Sequence, residues 1–446
     1  MAYPKKVFKA YDIRGLLEEV TEELAEDVGS ALAHMTGSKT IVVGRDMRST
    51  SPALAEAAIR GITARGVNVI DIGLCSTPIF YYAVTFLEGV QGGLMVTASH
   101  NPAEYNGIKL MDAEGMPMSG DDIYAAIQSM PEAGEGELGT VEKRDVLDAY
   151  LDRVIELADL PDVSRFSLAV DYGNGMGALA MQPLLKRLGI TATELYAEPD
   201  ATFPNHQADP VQEKNLVDVK KLINEVKPDF GVAIDGDADR IGFLDEFAET
   251  IRGDLMLALF TEDLLKEKSG AGIAVAPNQT WAIFDAVEKY GGTLVETKIG
   301  HTNVSLGMKA VEAEIGGEIS SHFFFKDFGY LESPEFALCL TLKKLVNAGE
   351  ALSEIVAPLR KYSNSGEVNL EIDDKAGALE ALKEKYTEQA SKVNLLDGVR
   401  CDFGRDWWFI VRPSNTEPLL RVTVEAKNQE LMQEKVEELV SFIESL

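Results

Sequence analysis

Basic residues, cysteines and long apolar runs are all scarce in this chain. Its 446 residues carry 42 Lys and Arg against 73 Asp and Glu, a formal charge of −31. A field of that sign repels polyanions, which argues against nucleic acid and anionic membrane surfaces as partners. Small anionic ligands stay compatible where a local group of arginines and lysines reverses the field inside a cleft. The three cysteines, Cys75, Cys339 and Cys401, are odd in number and far apart. They provide neither a disulfide framework nor a clustered thiolate metal site. Residues 1–14 contain no apolar stretch of signal-peptide length, and no later segment has the uninterrupted apolar length of a membrane span. The expectation is a soluble, cytoplasmic protein.

What is present is core-forming material in repeated arrangement. At about 150 residues per domain the length predicts several domains, and 46% hydrophobic content supplies each with a core. Near residue 40, Thr40-Ile41-Val42-Val43-Gly44-Arg45-Asp46 reads as a buried strand opening into a polar loop. Ser51 as N-cap and Pro52 at the first helical position then start a helix, Leu54, Ala58 and Ile62 keep its spacing, and a strand follows Gly66 over 67–72. This βαβ plan returns from Leu168-Ala169-Val170-Asp171 and again from Ile273-Ala274-Val275, the latter followed by a helix over 281–290 and Gly291-Gly292. After about residue 360 two strands, around Trp407 and Leu420, precede a helix with Met432, Val436, Leu439, Val440 and Ile443 on one face. The prediction is an α/β chain: three related α/β domains with mixed sheets over 1–145, 146–248 and 249–358, then a smaller α+β domain over 359–446.

Four loops carry candidate chemistry. Thr97-Ala98-Ser99-His100-Asn101-Pro102 follows the apolar run Gly93-Leu94-Met95-Val96, so a strand end presents Ser99 as a reactive or phosphate-bearing hydroxyl, or as an ordinary turn residue. Asp235-Gly236-Asp237-Ala238-Asp239-Arg240 crowds three carboxylates into one tight loop, for which a divalent cation with oxygen ligands, Mg²⁺ or Ca²⁺, is the natural counter-charge. An EF-hand is disfavoured because Arg240 stands where its glycine belongs and the flanks read as strands. Arg412-Pro413-Ser414-Asn415-Thr416-Glu417-Pro418, with Arg421, suits a phosphate dianion, although a plain turn accounts for it equally well in isolation. Gly316-Gly317-Glu318-Ile319-Ser320-Ser321-His322 offers Glu318 and a hydroxyl to sugar hydroxyls. The glycine spacing of Asp171-Tyr172-Gly173-Asn174-Gly175-Met176-Gly177 does not match a dinucleotide fingerprint and reads as a close strand-to-helix turn.

Taken in order, the loops over 97–102, 235–240, 317–322 and 412–418, together with Lys9-Ala10-Tyr11-Asp12-Ile13-Arg14-Gly15, resemble the α-D-phosphohexomutase superfamily nearly end to end. The resemblance implies four domains around an active site in a central cleft. It also implies a reversible shift of phosphate between the 1- and 6-positions of a hexose through a phosphoserine and a hexose 1,6-bisphosphate. Ser99 matches the phosphoserine, and Ser99, Asp235, Asp237 and Asp239 match the Mg²⁺ ligands. Lys109, in Tyr105-Asn106-Gly107-Ile108-Lys109, matches the general acid/base, with Arg14, His100, His301 and His322 as helpers. Tyr11, Arg240, Lys298, Glu318, Ser320, Arg412, Ser414, Asn415, Thr416 and Arg421 fall to the substrate. Lys298-Ile299-Gly300-His301 is similar to the phosphomannomutase/phosphoglucomutase branch, with phosphoglucosamine mutase as the alternative, or a non-catalytic sugar-phosphate and Mg²⁺ binder of the same fold. The implied partners are small hexose phosphates, the implied activator is glucose 1,6-bisphosphate or mannose 1,6-bisphosphate, and the implied state is monomer or homodimer. Two positions depart from the pattern: Ser321 stands where glycine is common, and Leu331-Glu332-Ser333 replaces a frequent acid-glycine pair.

Overall fold

A computed structural model describes residues 3–134, 136–413 and 419–446. They form two compact bodies, one of Met1–Arg252 with Ser320–Ser353 and the other of Gly253–Ile319 with Glu354–Leu446. Among the described residues no helix is long and apolar enough to cross a membrane.

The first body holds two sheets built to one plan. In the first, strands run in the order Ile13–Leu16, Tyr105–Met111, Gly93–Val96, Thr40–Arg45, Asn68–Leu74, Val141–Lys143. The first two pairings are antiparallel and the rest parallel. The second runs Thr250–Ile251, Ile241–Leu244, Phe230–Ile234, Ser167–Asp171, Thr191–Leu195, again with two antiparallel pairings followed by two parallel ones. Gly93–Val96 and Phe230–Ile234 thus occupy the same place, each between a parallel and an antiparallel neighbour. All nine of their residues are buried, which is why both read as continuous apolar runs without alternation.

Helix Ser51–Thr63 packs on helix Glu22–Thr36 so closely that a Cβ at Gly61 would lie 1.9 Å from the Glu26 carbonyl oxygen, and no other residue fits there. Ser51 is not the cap expected of it. Thr50 takes that position, and the Ser51 hydroxyl, completely buried, donates to Asp46 Oδ1 instead at 2.5 Å.

In the second body, Gly272–Val275 pairs in parallel with Thr293–Glu296 and Ile315–Gly317, and helix Trp281–Tyr290 ends at Gly291 with φ +80°. The C-terminal sheet is antiparallel: Lys392–Asn394, Val399–Phe403, Trp407–Pro413 and Leu419–Ala426 lie in that order, and Ser363–Asn364 and Val368–Glu371 both pair with the last. The stretch around Ser363, just past the predicted boundary at 358, is therefore partly strand. Helix Gln429–Glu444 covers this sheet with Met432, Leu439 and Ile443 buried and Val436 and Val440 half-buried against the same core.

Candidate active site

Repetition of the plan brings the serine and aspartate loops together. Each leaves the C-terminal end of a strand at the change from parallel to antiparallel pairing, where a chain turning away leaves a crevice. Ser99 adopts a left-handed conformation, φ +51°, and its hydroxyl donates to Asp235 Oδ2 at 3.1 Å while lying 3.2 Å from His100 Nδ1. The side chain is 4% exposed, so the presentation is to a buried acid rather than to bulk water. Close approach of the two loops requires Gly236, where a Cβ would stand 2.4 Å from the Ser99 carbonyl oxygen. It likewise requires Gly175, whose Cβ would meet the Gly236 backbone at 2.8 Å. The turn over 171–177 is accordingly a packing element, as its spacing predicted.

The three aspartates are essentially inaccessible, and one oxygen of each lies within 4.8 Å of the others. Asp235 Oδ1 accepts the backbone N–H groups of Asp239 and Arg240. Asp237 Oδ2 accepts Thr77 Oγ1 at 2.7 Å and Lys109 Nζ at 2.9 Å, whereas its Oδ1 has no hydrogen-bond partner among the described residues. Lys109 also bonds Asp239 Oδ2. Burial opposes the lysine's charge, but Asp237 and Asp239 outweigh it and hold its pKa well above the usual range. Asp235 is pushed well up by burial and then by its neighbours Asp239 and Asp237, with too little positive charge to offset them. Asp239 is held well down despite burial, because Lys109 and His322 lie against it. A buried cluster with surplus negative charge and an orphaned carboxylate oxygen fits a divalent cation with oxygen ligands.

Cations and histidines surround this centre. Arg14 Nη1 donates to Asn101 Oδ1 at 2.9 Å and Nη2 pairs with Asp12. Arg240 Nε lies 3.8 Å from Asp235 Oδ2 and donates to His322 Nε2 at 3.1 Å. His322 lies 3.2 Å from Asp239 Oδ1, and its Nδ1 is 3.1 Å from Ser320 Oγ. Burial, then the charges of Arg240 and Arg14, keep the pKa of His100 well below the ordinary value, so this ring is neutral at pH 7. Tyr11 is half-buried in the bend before Ile13–Leu16.

The remaining candidates belong to the second body. Glu318, 5% exposed, accepts the Gly300 N–H at 2.8 Å, with Gly300 at φ +118°, so the two sugar-loop segments are tied to each other. His301 begins helix His301–Val311 and Lys298 is exposed. Arg412 Nη2 and Arg421 Nη1 bond the two oxygens of one carboxylate, Glu367, at 2.7 and 3.1 Å. Ser414, Asn415 and Thr416 lie outside the described residues.

Sequence reasoning did not find four residues. Arg48, 1% exposed, spans the backbone of the serine loop, donating to the carbonyls of Ser99, Asn101, Pro102 and Tyr105. Thr77 buttresses Asp237, Glu367 joins the two arginines, and Glu332 is buried beside Asp239 and His322, where burial raises its carboxyl to about 8. Asp46 and Arg48 in the loop after a buried strand were a visible signal. Glu332 was visible only as part of the Leu331-Glu332-Ser333 departure, and Thr77 and Glu367 stand in unremarkable sequence.

Comparison with known proteins covers the chain nearly end to end. The chain matches the phosphoglucomutase/phosphomannomutase α/β/α domains I, II and III over 5–135, 148–247 and 252–362, and the C-terminal domain over 367–441. It is 36% identical over 452 residues to a phosphomannomutase of Salmonella montevideo, covering 98% of this chain and 99% of that one. It is also 36% identical over 443 residues to a Xanthomonas campestris protein described as phosphohexose mutases, covering 98% of both. A crystal structure of a phosphoglucomutase/phosphomannomutase family protein from Burkholderia thailandensis superposes with a TM-score of 0.91 at 30% identity, covering 99% of this chain and 98% of that one. The chain belongs to the phosphoglucomutase/phosphomannomutase family.

Proposed function

We propose that this chain is a phosphohexomutase that moves phosphate reversibly between the 1- and 6-positions of mannose phosphate, glucose phosphate or both, with Ser99 as the phosphate carrier. The observation that carries this reading is the Ser99 hydroxyl bonded to one of three buried aspartates, with Lys109 bridging the other two. Phosphorylated Ser99 gives its phosphoryl group to the free sugar hydroxyl: the Ser99 O–P bond breaks, the sugar O–P bond forms and the hydroxyl proton leaves to a base. The resulting 1,6-bisphosphate reverses its orientation and returns its other phosphate to Ser99, so each cycle ends as it began.

Mg²⁺, when held by Asp235, Asp237 and Asp239, supplies charge stabilisation to the oxygens of the transferring group. Arg48 fixes the loop carbonyls so that Ser99 does not drift. Lys109 and Arg240 offset phosphate charge, and Lys109, with neutral His100 and with His322 beside it, exchanges the proton of the reacting hydroxyl. Arg14 holds Asn101. Arg412 and Arg421, with Ser414, Asn415 and Thr416, grip the phosphate that is not reacting, while Tyr11, Lys298, Glu318 and Ser320 bind the ring and His301 assists. The names of the relatives and the Lys298-Ile299-Gly300-His301 sequence both favour mannose and glucose over glucosamine phosphates.

Intact-mass analysis tests the carrier: wild type is expected to show one phosphate that Ser99→Ala lacks, and 1,6-bisphosphate to restore activity to dephosphorylated enzyme. Ratios of kcat/KM for mannose 1-phosphate, glucose 1-phosphate and glucosamine 1-phosphate assign the sugar. Tight hexose-phosphate binding without turnover would establish the non-catalytic alternative.

A further inference from the structure

Beside the aspartate loop sits a carboxylate that phosphoryl transfer does not use. Glu332 lies in the two-residue strand Leu331–Glu332, paired opposite Phe324 in the hairpin that also carries Phe325. It is 2% exposed, and among the described residues neither of its oxygens has a hydrogen-bond partner. A buried carboxylate in that condition is retained where positive charge is available to face it. One donor atom each of Glu332, Asp239 and His322 lies within 4.8 Å of the other two.

His322 is contacted at both ring nitrogens. Nε2 lies 3.1 Å from Arg240 Nε and 3.2 Å from Asp239 Oδ1, and Nδ1 lies 3.1 Å from Ser320 Oγ. With Nδ1–H on Ser320, Nε2 offers its lone pair beside Asp239 and the Glu332 carboxylate, a donor set for a cation. The Ser320 contact is the outer hydrogen bond by which metal-binding histidines are usually oriented.

We propose that Asp239, His322 and Glu332 bind a second divalent cation, a transition metal of the Zn²⁺, Mn²⁺ or Co²⁺ type, with Asp239 shared between this ion and the one in the aspartate loop. One imidazole with two carboxylates selects that class, whereas the all-oxygen trio of Asp235, Asp237 and Asp239 suits Mg²⁺. Arg240 can yield Nε2 to the metal because Asp209 Oδ1 and Asp235 Oδ2 lie 3.7 and 3.8 Å from its guanidinium. Binding here does not depend on the mutase reading and is measured without turnover.

The experiment loads the full chain with Mn²⁺ in the presence of excess Mg²⁺ and records pulsed EPR. The expected result is one Mn²⁺ per chain with a nitrogen coupling from His322, because the aspartate trio contains only oxygen donors. Glu332→Gln is expected to weaken that binding about 10-fold or more, while Glu335→Gln, a buried carboxylate three residues on, leaves it unchanged. Mn²⁺ coordinated by oxygen alone in the wild type would overturn the proposal even if Glu332→Gln failed to fold. Unaltered nitrogen-coupled binding in folded Glu332→Gln would overturn Glu332 as a ligand.

Discussion

The aspartate loop and the Arg412 strand face one problem with opposite signs. In the first body, Lys109 bonds two of three inaccessible carboxylates, Arg240 lies 3.8 Å from the third, and Asp237 keeps an oxygen with no hydrogen-bond partner among the described residues. In the second, Arg412 and Arg421 divide the two oxygens of Glu367, whose side chain is 28% exposed. The first cluster is short of positive charge and buried, so a cation completes it. The second is already partly neutralised by a part-exposed carboxylate, so an arriving phosphate has to take the place of Glu367. An internal counter-ion therefore builds one site and competes at the other.

The largest test of that contrast is Asp237→Asn, which removes a charge the cation needs. Mutase activity is expected to fall roughly 10²- to 10³-fold, the usual scale for one transition-state electrostatic contact, with Mg²⁺ affinity lost in parallel. A carboxylate buried with no cation sharpens the reason. Glu335 accepts the Tyr150 hydroxyl at 2.6 Å, and burial pushes its carboxyl from 4.5 up to about 7. The fold favours the neutral acid, so its contribution is full below about pH 4.5 and is lost as pH rises through about 7. Glu335→Gln is expected to gain roughly 3 kcal/mol over wild type at pH 8 and nothing at pH 4.5 in denaturant titrations. A difference independent of pH would break the explanation.

At the phosphate end the two partners should respond in opposite directions. Arg412→Gln is expected to raise KM for hexose phosphate about 10- to 100-fold, the value of a charge-assisted hydrogen bond. Glu367→Gln is expected to lower KM a few-fold, in keeping with a part-exposed pair. A higher KM in Glu367→Gln would show that Glu367 organises the arginines and does not compete with substrate. The smallest effect is conformational: Ser321 has φ +69°, and Ser321→Gly should stabilise the chain by roughly 1 kcal/mol, read from the unfolding midpoint.

Local sequence was sufficient for the elements and for the chemistry of the loops. Buried strands ending in Thr97-Ala98-Ser99 and Asp235-Gly236-Asp237, the helix over 281–290 and the C-terminal amphipathic helix were legible because patterning, caps and turn residues act over a few positions. The partners of those loops were not. Thr77 lies 160 residues from Asp237 and Lys109 lies 130 from Asp239, and no period in the chain records either distance. Glu332 looked like a departure from a familiar pattern, and its unpartnered burial beside His322 is visible in three dimensions alone.

By itself, then, the sequence determined which groups are available and on which strand ends they stand, since backbone propensity and alternation are local. Tertiary structure decided how the charges are balanced. Coulomb interactions and desolvation depend on distance through space, and folding sets those distances among residues far apart in the chain.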